Sequence, residues 1–439
     1  MVRSVPVLRP LRAIRFGRDL HGDLPELVSP AAHGEPIDKN AVGDVHPYNV
    51  RRLVRGDHGE LARDDEPRFT HAARLLGRWK EDGVVTRDAR PALYVYEQRI
   101  DGVERRGVVG LVRLDHEGNA RLLPHEVARG GSTDTLRAQL AAMKCQLSLV
   151  LAIAPDRDGV LAEYLGGHPG QYDVEVHDGQ GVQNRIWRDE DPRNHLRLTE
   201  ALRDEPAVIA DGHHRVEAAL AHQAERAGGQ RVTRERPYDY VMTLLVPASQ
   251  PGLVSAPTHR VCETVGPAGR AFLDGLDDRF AVTPIGEDDV DTWLAGEGVR
   301  FALARPGGVV GLQLKDNALV QDALGTLTPT LRTVEPAVLG AVVLDPLVIA
   351  ELGANLEGLA PGDTGGAPSG ATFSHNRASA SDVVRSALAG ELDAAFVLRP
   401  VPNHAVVAVA EAGERMPPKS TNFQPKPTKG ILMSSLVSF

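Results

Sequence analysis

The chain has 439 residues, 42% of them hydrophobic and 25% charged, with a formal charge of −10. This is a globular composition, long enough for two or three domains. The acidic surplus excludes the global basic footprint of a non-specific nucleic-acid binder, although a few Arg and Lys in one cleft can still hold a phosphate. Cys145 and Cys262 are the only cysteines and form no CxxC pair, which argues against zinc ribbons, redox motifs and a disulfide framework. No signal-type apolar run opens the chain and no stretch is apolar enough to span a bilayer, so a cytoplasmic protein is expected.

Residues 1 to about 60 are rich in Pro, Gly and His and predict loop with short strands. From Glu66 to Lys80, Ala72, Leu75, Leu76 and Trp79 recur at helical spacing. Pro91 to Ile100 reads as a strand, Asp101-Gly102 as a turn, and Arg106 to Arg113 as the returning strand. A helix is predicted from Thr133 to Lys144, a strand from Leu147 to Ile153, and a further helix up to Tyr164. Pro206 to Ala210 is unbroken in apolar character and predicts a buried strand. Val216 to Arg226 follows as a helix, stopped by Gly228-Gly229, and Tyr240 to Pro247 as another strand.

From about Gly266 to Glu414 the chain is richer in Ala, Gly and acidic residues and predicts a second α/β domain. Phe272 to Phe280, Asp288 to Ala295 and Ser381 to Leu388 look helical there. Val309 to Leu314 and Ala394 to Leu398 look like strands, and residues 354–370 like a mobile surface loop. The expected divisions are thus 1–265, 266–414 and a segment 415–439 that returns to the site.

Asp211-Gly-His-His-Arg215 lies between the buried strand and the strong helix. The first N–H groups of a helix lack intrahelical partners, and its dipole adds partial positive charge. Gly212 lets a phosphate approach the backbone. Arg215 offers a bidentate fork, and His213 and His214 can donate hydrogen bonds or move protons. Asp211 can bind Mg²⁺ or accept a proton. The plain alternative is an Asp-Gly turn capping a solvated helix start. No GxxxxGK[ST] occurs, so a Walker-type site is not supported.

Other polar clusters carry their own alternatives. His46-Pro-Tyr-Asn-Val-Arg-Arg52 gathers His46, Asn49 and Arg52 in a loop predicted to enter a strand, equally well a turn with surface arginines. His125 and Glu126 leave a short strand and can form an acid–base or metal pair, though such pairs are common. His259 and Arg260 follow a short extended segment. In Met416 to Lys426, Lys419, Ser420, Thr421 and Lys426 sit on a Pro-rich backbone, either a basic tail or a fixed loop suited to phosphate.

HPYNVRRL, LYVYEQ, LLPHE, ADGHHRVEAAL, APTHR and MPPKST followed by PK occur in this order between residues 46 and 426. Together they resemble the bacterial and archaeal family DUF1015. DGHHR also resembles the GxxR phosphate-binding element of the ParB/sulfiredoxin superfamily, which includes partition proteins, sulfiredoxin and free serine kinases. The resemblance implies an α/β (mixed α+β) fold with a ParB/sulfiredoxin-like nucleotide-binding core and a second α/β domain. It implies a transferase of the kinase type acting on serine or a related hydroxy amino acid, with ATP, ADP or pyrophosphate as donor. Two stretches depart from the family pattern. Ser29 to Gly34 stands where a PPYDVI-like motif is usual, and Val127 to Leu136 where Thr and Lys with Asp-Arg are usual. A specialised acceptor and loss of activity both fit these departures.

On that reading the donor phosphates rest on the helix that starts near His214, held by His213 and Arg215. Lys419, Ser420 and Lys426 close over them, with Gly212, Thr421, His259 and Arg260 completing the nucleotide site. Asp211, Glu126 or His125 takes the acceptor proton, and Asp211 and Glu126 are the candidate Mg²⁺ ligands. His46, Asn49 and Arg52 hold the acceptor. A ParB-like nucleotide-binding regulator without catalysis and a phosphate-ester hydrolase using His125 and Glu126 are the alternatives. Sulfiredoxin chemistry lacks a cysteine in a recognised motif. The expected partner is a small-molecule substrate, with no nucleic acid and no membrane, and homodimerisation stays open.

Overall fold

The computed structural model describes residues 8–29, 46–56, 68–114, 121–126, 131–167, 171–227, 235–350 and 373–439. The predicted loop at 354–370 lies outside them, as do residues 30–34 and 127–130 of the two departing stretches. The protein is of mixed α/β class. It divides into a first unit, residues 1–254 with 423–439, and a second, Ser255–Asn422.

The first unit is built on a mixed sheet. Its strands are β1 (Leu8–Arg9), β4 (Leu93–Ile100), β5 (Val103–Arg113), β6 (Leu122–Leu123), β8 (Val150–Ala154), β9 (Val174–His177), β10 (Gln183–Asp189), β11 (Ala207–Asp211) and β12 (Tyr240–Pro247). They run in the order β6-β11-β8-β12-β5-β4-β10-β9, with β1 on β5. The β6–β11 and β8–β12 pairs are parallel and the other pairs antiparallel. The small strands β2 (Ile14–Phe16) and β3 (Val85–Arg87) pair separately.

Local sequence explains these elements. β8, Val-Leu-Ala-Ile-Ala, and β12 are buried along their whole length, as their unbroken apolar runs require. The β4–β5 turn places Asp101 and Gly102 at φ +50 and +78, the two left-handed residues that a tight hairpin needs. The strands extend to Ile100 and Val103, so the returning strand starts earlier than Arg106. The first unit's helices are α1 (Leu24–Leu27), α2 (Arg51–Arg55), α3 (Arg68–Glu81), α4 (Gly131–Met143), α5 (Val160–Gly166), α6 (Pro192–Ala201) and α7 (His213–Ala227). Ala72, Leu76 and Trp79 form the buried stripe of α3. Helix α7 begins three residues before Val216, directly after Gly212, and packs on α4. Val216 and Ala219 of α7 meet Leu161, Leu165, Ile209 and Leu198 in the core on one sheet face.

The His46–Arg52 segment enters helix α2, not a strand. Asn49 explains the difference: its Oδ1 accepts the Arg51 N–H at 2.8 Å and so turns the chain into a helix.

The chain leaves the first unit through the short strand β13 (Val254–Ser255). The second unit holds an antiparallel sheet of β14 (His259–Cys262), β15 (Phe280–Ile285), β16 (Arg300–Arg305), β17 (Gly308–Leu314), β18 (Phe373–Asn376) and β19 (Ala394–Val397). Their order is β15-β17-β16-β19-β14-β18. The helix predicted over Phe272 to Phe280 instead spans Pro267–Asp274. Proline at its first turn starts it, and the chain from Phe280 is recruited as β15.

The chain re-enters the first unit at β20 (Phe423–Gln424) and ends on β21 (Ser434–Ser435), which pairs with β7 (Cys145–Gln146). Between β20 and β21 it is strapped to the sheet. The Thr428 N–H donates to Tyr96 Oη at 3.1 Å, and its hydroxyl reaches Asp178 at 2.6 Å. Gly430 then adopts φ +88, and a Cβ there would sit 2.8 Å from Val50 Cβ.

Gly430→Ala is therefore expected to destabilise the protein by about 1–3 kcal/mol, from left-handed strain and the Val50 clash. Gly77 lies in α3 with open space at its Cβ position, so Gly77→Ala is the control and stabilises or is neutral. Denaturant midpoints of the two variants check both signs.

Candidate functional site

Strand β11 carries its apolar run to Ala210, and then Asp211 ends it. Gly212 follows at φ +106, a conformation that a side chain resists. A Cβ there would also lie 3.0 Å from an Arg215 guanidinium nitrogen. The Arg215 and Val216 N–H groups return to the Gly212 carbonyl at 2.9 and 3.1 Å, closing the first turn of α7. The helix therefore starts directly at the sheet edge, with the first N–H groups and the dipole of a 15-residue helix there.

Asp211 sits at the centre of an ion network. Its Oδ1 accepts from Lys426 Nζ at 2.6 Å, and its Oδ2 from Arg215 at 3.2 Å. Arg215 also donates to the Leu149 carbonyl. Burial alone would raise the Asp211 carboxyl, but Arg215 and Lys426 outweigh it and hold the group well below the usual carboxylate range. Asp211 thus stays ionised, with both oxygens occupied. The side chains of Asp211, Lys426 and Arg215 remain 16%, 16% and 22% exposed, so a ligand can reach them.

Two further cations stand near. Lys429 is half-buried and pushed down to about 8, first by burial and then by Arg215, Lys426 and Arg55, while Asp211 opposes the shift. Its backbone is fixed to Ser29 by bonds of 2.8 and 3.1 Å in both directions. Arg105 is fully buried. It donates to Gln98 Oε1 and to the Gln424 and Pro425 carbonyls, and its Nε has no partner among the described residues. Burial pushes it down to about 10 against the field of Tyr96 and Asp211, so it is a cation at neutral pH. Enclosed as it is, Arg105 supplies field rather than contact.

His125 runs beside β11, because β6 pairs with β11 in parallel just before it. The His125 ring is fully buried, and its Nδ1 donates to the Ile209 carbonyl at 2.6 Å. Its Nε2 lies 3.5 Å from Glu126 Oε1. The His213 ring stacks edge-on against His125 at 4.7 Å and accepts the His125 N–H on Nε2 at 3.4 Å. Burial and the neighbouring His125 push His213 down to about 3. It is a neutral ring that can still donate from Nδ1. His214 points elsewhere, its Nδ1 3.1 Å from the Thr133 hydroxyl, which in turn donates to Glu217 at 3.0 Å.

The first unit therefore brings together Asp211, Gly212, His213, Arg215, His125, Glu126 and Lys426. His46, Asn49 and Arg52 belong to the same unit. The His46 Nδ1 accepts the Tyr48 N–H at 3.1 Å, and Arg52 donates to the His46 carbonyl at 3.2 Å. The Asn49 amide is used on the Glu26 and Val28 carbonyls and the Arg51 N–H. His259, Arg260, Lys419, Ser420 and Thr421 belong to the second unit. There His259 is fully buried with Nδ1 accepting the Leu398 N–H, and burial pushes it down to about 4. Arg260 donates to the Thr258 and Lys419 carbonyls, and Ser420 to the Pro417 carbonyl.

Arg105, Lys429 and Arg55 are absent from the sequence reading. Arg105 lies beside an Asp-Gly hairpin and reads as an exposed turn cation. Lys429 stands three residues after Lys426, in Pro-Lys-Pro-Thr-Lys-Gly, where the proline spacing was the available signal.

Magnesium was expected on Asp211 and Glu126. Asp211 carries its two cations already, and Glu126 Oε1 lies 3.5 Å from His125 Nε2. Among the described residues no three His, Cys, Asp or Glu side chains gather as a metal site. Among the described residues this donor set forms no all-protein cage, and a Mg²⁺ ion there would complete its shell with phosphate and water.

Similar solved structures include a conserved hypothetical protein from Pyrococcus furiosus, 12% identical, covering 73% of this chain and 92% of that one, with a TM-score of 0.33. A free serine kinase in complex with AMP is 13% identical, covering 73% and 90%, with a TM-score of 0.35. SbnI with C-terminal truncation from Staphylococcus aureus is 11% identical, covering 72% and 82%, with a TM-score of 0.32. These likenesses are too distant to carry a function from one chain to another. No curated protein sequence matches the chain. The family described as "Protein of unknown function (DUF1015)" matches residues 8–333. That match spans well over half of the chain, and the protein belongs to the DUF1015 family.

Proposed function

We propose that this protein is a small-molecule phosphotransferase that moves a phosphoryl group from ATP, ADP or pyrophosphate to the hydroxyl of serine or a related hydroxy amino acid. The observation that carries the reading is the excess of positive charge at the start of α7. Arg215, Lys426, Lys429 and Arg105 share the field of Asp211, while Glu126 stands beside His213 and Asp178 binds Thr428 next to Lys429. A helix dipole and several converging cations favour a multiply charged phosphate over a carboxylate.

Donor phosphates would lie against the first turn of α7, in reach of Arg215 and Lys426. Asp211 would act as a positioning residue, holding both cations in place before the ligand arrives. The acceptor oxygen bonds to phosphorus as the donor's bridging P–O bond breaks, and the leaving phosphate takes the charge. Asp211 is a poor base because its pKa is so depressed, and His213 is poor for the same reason. Glu126 is the best-placed proton acceptor, since His125 Nε2 can share the proton with it across 3.5 Å. No step here runs through a protein-bound metal.

The same shortage of free bases favours one alternative, a nucleotide-binding regulator of ParB-like type without catalysis. A donor-by-acceptor screen separates the two. A phosphorylated hydroxy amino acid detected by mass spectrometry establishes transfer. Nucleotide binding without product from any pool selects the regulator. Arg215→Ala is expected to lower transfer at least about 100-fold while cooperative unfolding is kept, and unchanged turnover in a folded variant removes the site assignment.

The Lys429 ammonium gives a pH signature. A group whose pKa is about 8 is charged below that pH and neutral above it, so pyrophosphate affinity should weaken as pH rises from 7 to 9. In Lys429→Met the slope should flatten and the affinity at pH 7 should fall. Titration calorimetry at three pH values reads both. An affinity that is equal at pH 7 and 9 in the wild type removes Lys429 from the phosphate field.

A further inference from the structure

A second pocket opens elsewhere on the first unit. It has a volume of about 720 Å³, within the range of small-molecule sites. Arg15, Arg18, Asp88, Tyr172, Asp173 and Arg188 are among its walls. None of them takes part in the network around Asp211.

Its floor is built and rigid. Asp88 is buried, and its Oδ1 accepts from Arg15 at 2.6 Å and from Arg188 at 3.4 Å. Its Oδ2 accepts from the Tyr94 hydroxyl at 2.5 Å. One carboxylate thus serves two guanidinium groups. Asp173 is held through the Arg188 N–H at 2.8 Å, with Arg188 Nε 3.9 Å from its other oxygen. Arg188 Nε also lies 3.4 Å from Glu190, which is in turn 3.6 Å from the exposed Arg90. These charges compensate one another. Arg18 does not join them: it is exposed and has no hydrogen bond or ion pair among the described residues. Tyr172 adds a ring that is 39% exposed, braced by the Trp187 ring at 6.3 Å and the Arg185 guanidinium at 5.3 Å.

We propose that this pocket is a second ligand site, taking an organic anion with a planar ring, its anionic head on Arg18 and its ring beside Tyr172. A fixed floor of satisfied charges, one uncommitted guanidinium and one braced, exposed aromatic face suit that chemistry. An isolated phosphate or an aliphatic chain would use half of it. Head and ring together could come from a nucleotide or from an aromatic carboxylate. The pocket is separate from the phosphate site: Tyr94 lies at the start of β4 and Gln98 near its end, about 13 Å apart along the strand.

Titration calorimetry on the full chain tests this with AMP, 4-hydroxybenzoate and ribose 5-phosphate, in wild type, Arg18→Ala, Tyr172→Ala and Arg215→Ala. The expected result is binding of at least one ring-bearing anion that weakens at least tenfold in both Arg18→Ala and Tyr172→Ala and is retained in Arg215→Ala. Ribose 5-phosphate should bind more weakly than the ring-bearing probe. AMP alone binding identifies a nucleotide ligand, and 4-hydroxybenzoate alone an aromatic acid. The proposal fails if neither ring-bearing probe binds, or if binding is lost only in Arg215→Ala. That last result would leave the phosphate site at α7 standing.

Discussion

The ion pair between Lys426 and Asp211 is the constraint on which the candidate site depends. The residues it joins are far apart in sequence, and it ties the returning C-terminal segment to the turn between β11 and α7. Lys426 is delivered by a strap whose carbonyls are held by Gln98 and Arg105, and whose Thr428 is held by Tyr96 and Asp178. Asp211 is delivered by a strand that is buried from Ala207 to Ala210. Asp211 keeps Arg215 if Lys426 is removed, whereas losing Asp211 leaves both half-buried cations without their shared carboxylate. The strap and the strand end therefore act as one unit, and the site's order depends on both.

The same pair decides what Asp211 can do. A carboxylate facing two cations does not accept a proton readily. Its part is to hold Arg215 and Lys426 at fixed positions. Arg105 and Lys429 then add positive field, which Asp211 offsets only in part because it already faces Arg215 and Lys426. An arrangement with this surplus lowers the electrostatic cost of bringing in a polyanion, and it has already lost the side-chain entropy of ordering the cations.

The local elements were legible where one physical signal dominates. Unbroken apolar runs mark β8, β11 and β12, helical spacing marks α3 and α7, and Asp101-Gly102 marks the hairpin. Strand β10, Gln-Asn-Arg-Ile-Trp-Arg-Asp, gave no such signal. Its polar side chains are used in networks with Tyr96, Glu97 and Asp88 that only the fold assembles. In the site, Asp211 to Arg215 stood out because polar residues interrupt two strong elements. Arg105 could not, since an Arg next to a hairpin turn reads as solvent-exposed until the strap covers it. The His46–Arg52 segment misled for a related reason. Its loop chemistry was visible, but the Asn49 amide that turns it into α2 depends on carbonyls of Glu26 and Val28 supplied from elsewhere.

One face of the first sheet explains how so many polar groups are tolerated inside. Tyr94, Tyr96 and Gln98 alternate along β4 and so share a face, while Leu93 and Val95 join the apolar core on the other. Each member of the polar row has a partner at its own level: Asp88 for Tyr94, Asn184 for Tyr96, and Arg105 with Asn184 for Gln98. A buried polar row of this kind is stable when its groups are satisfied, and here the terminal segments complete it: the Ala13 N–H donates to Tyr94 Oη, the Thr428 N–H to Tyr96 Oη, and Gln98 Nε2 to the Lys426 carbonyl. The polar row thus requires the terminal segments to be in place. The same requirement fixes Lys426, whose carbonyl accepts from Gln98, and Asp88, which stands between Arg15 and Arg188 beside Tyr94.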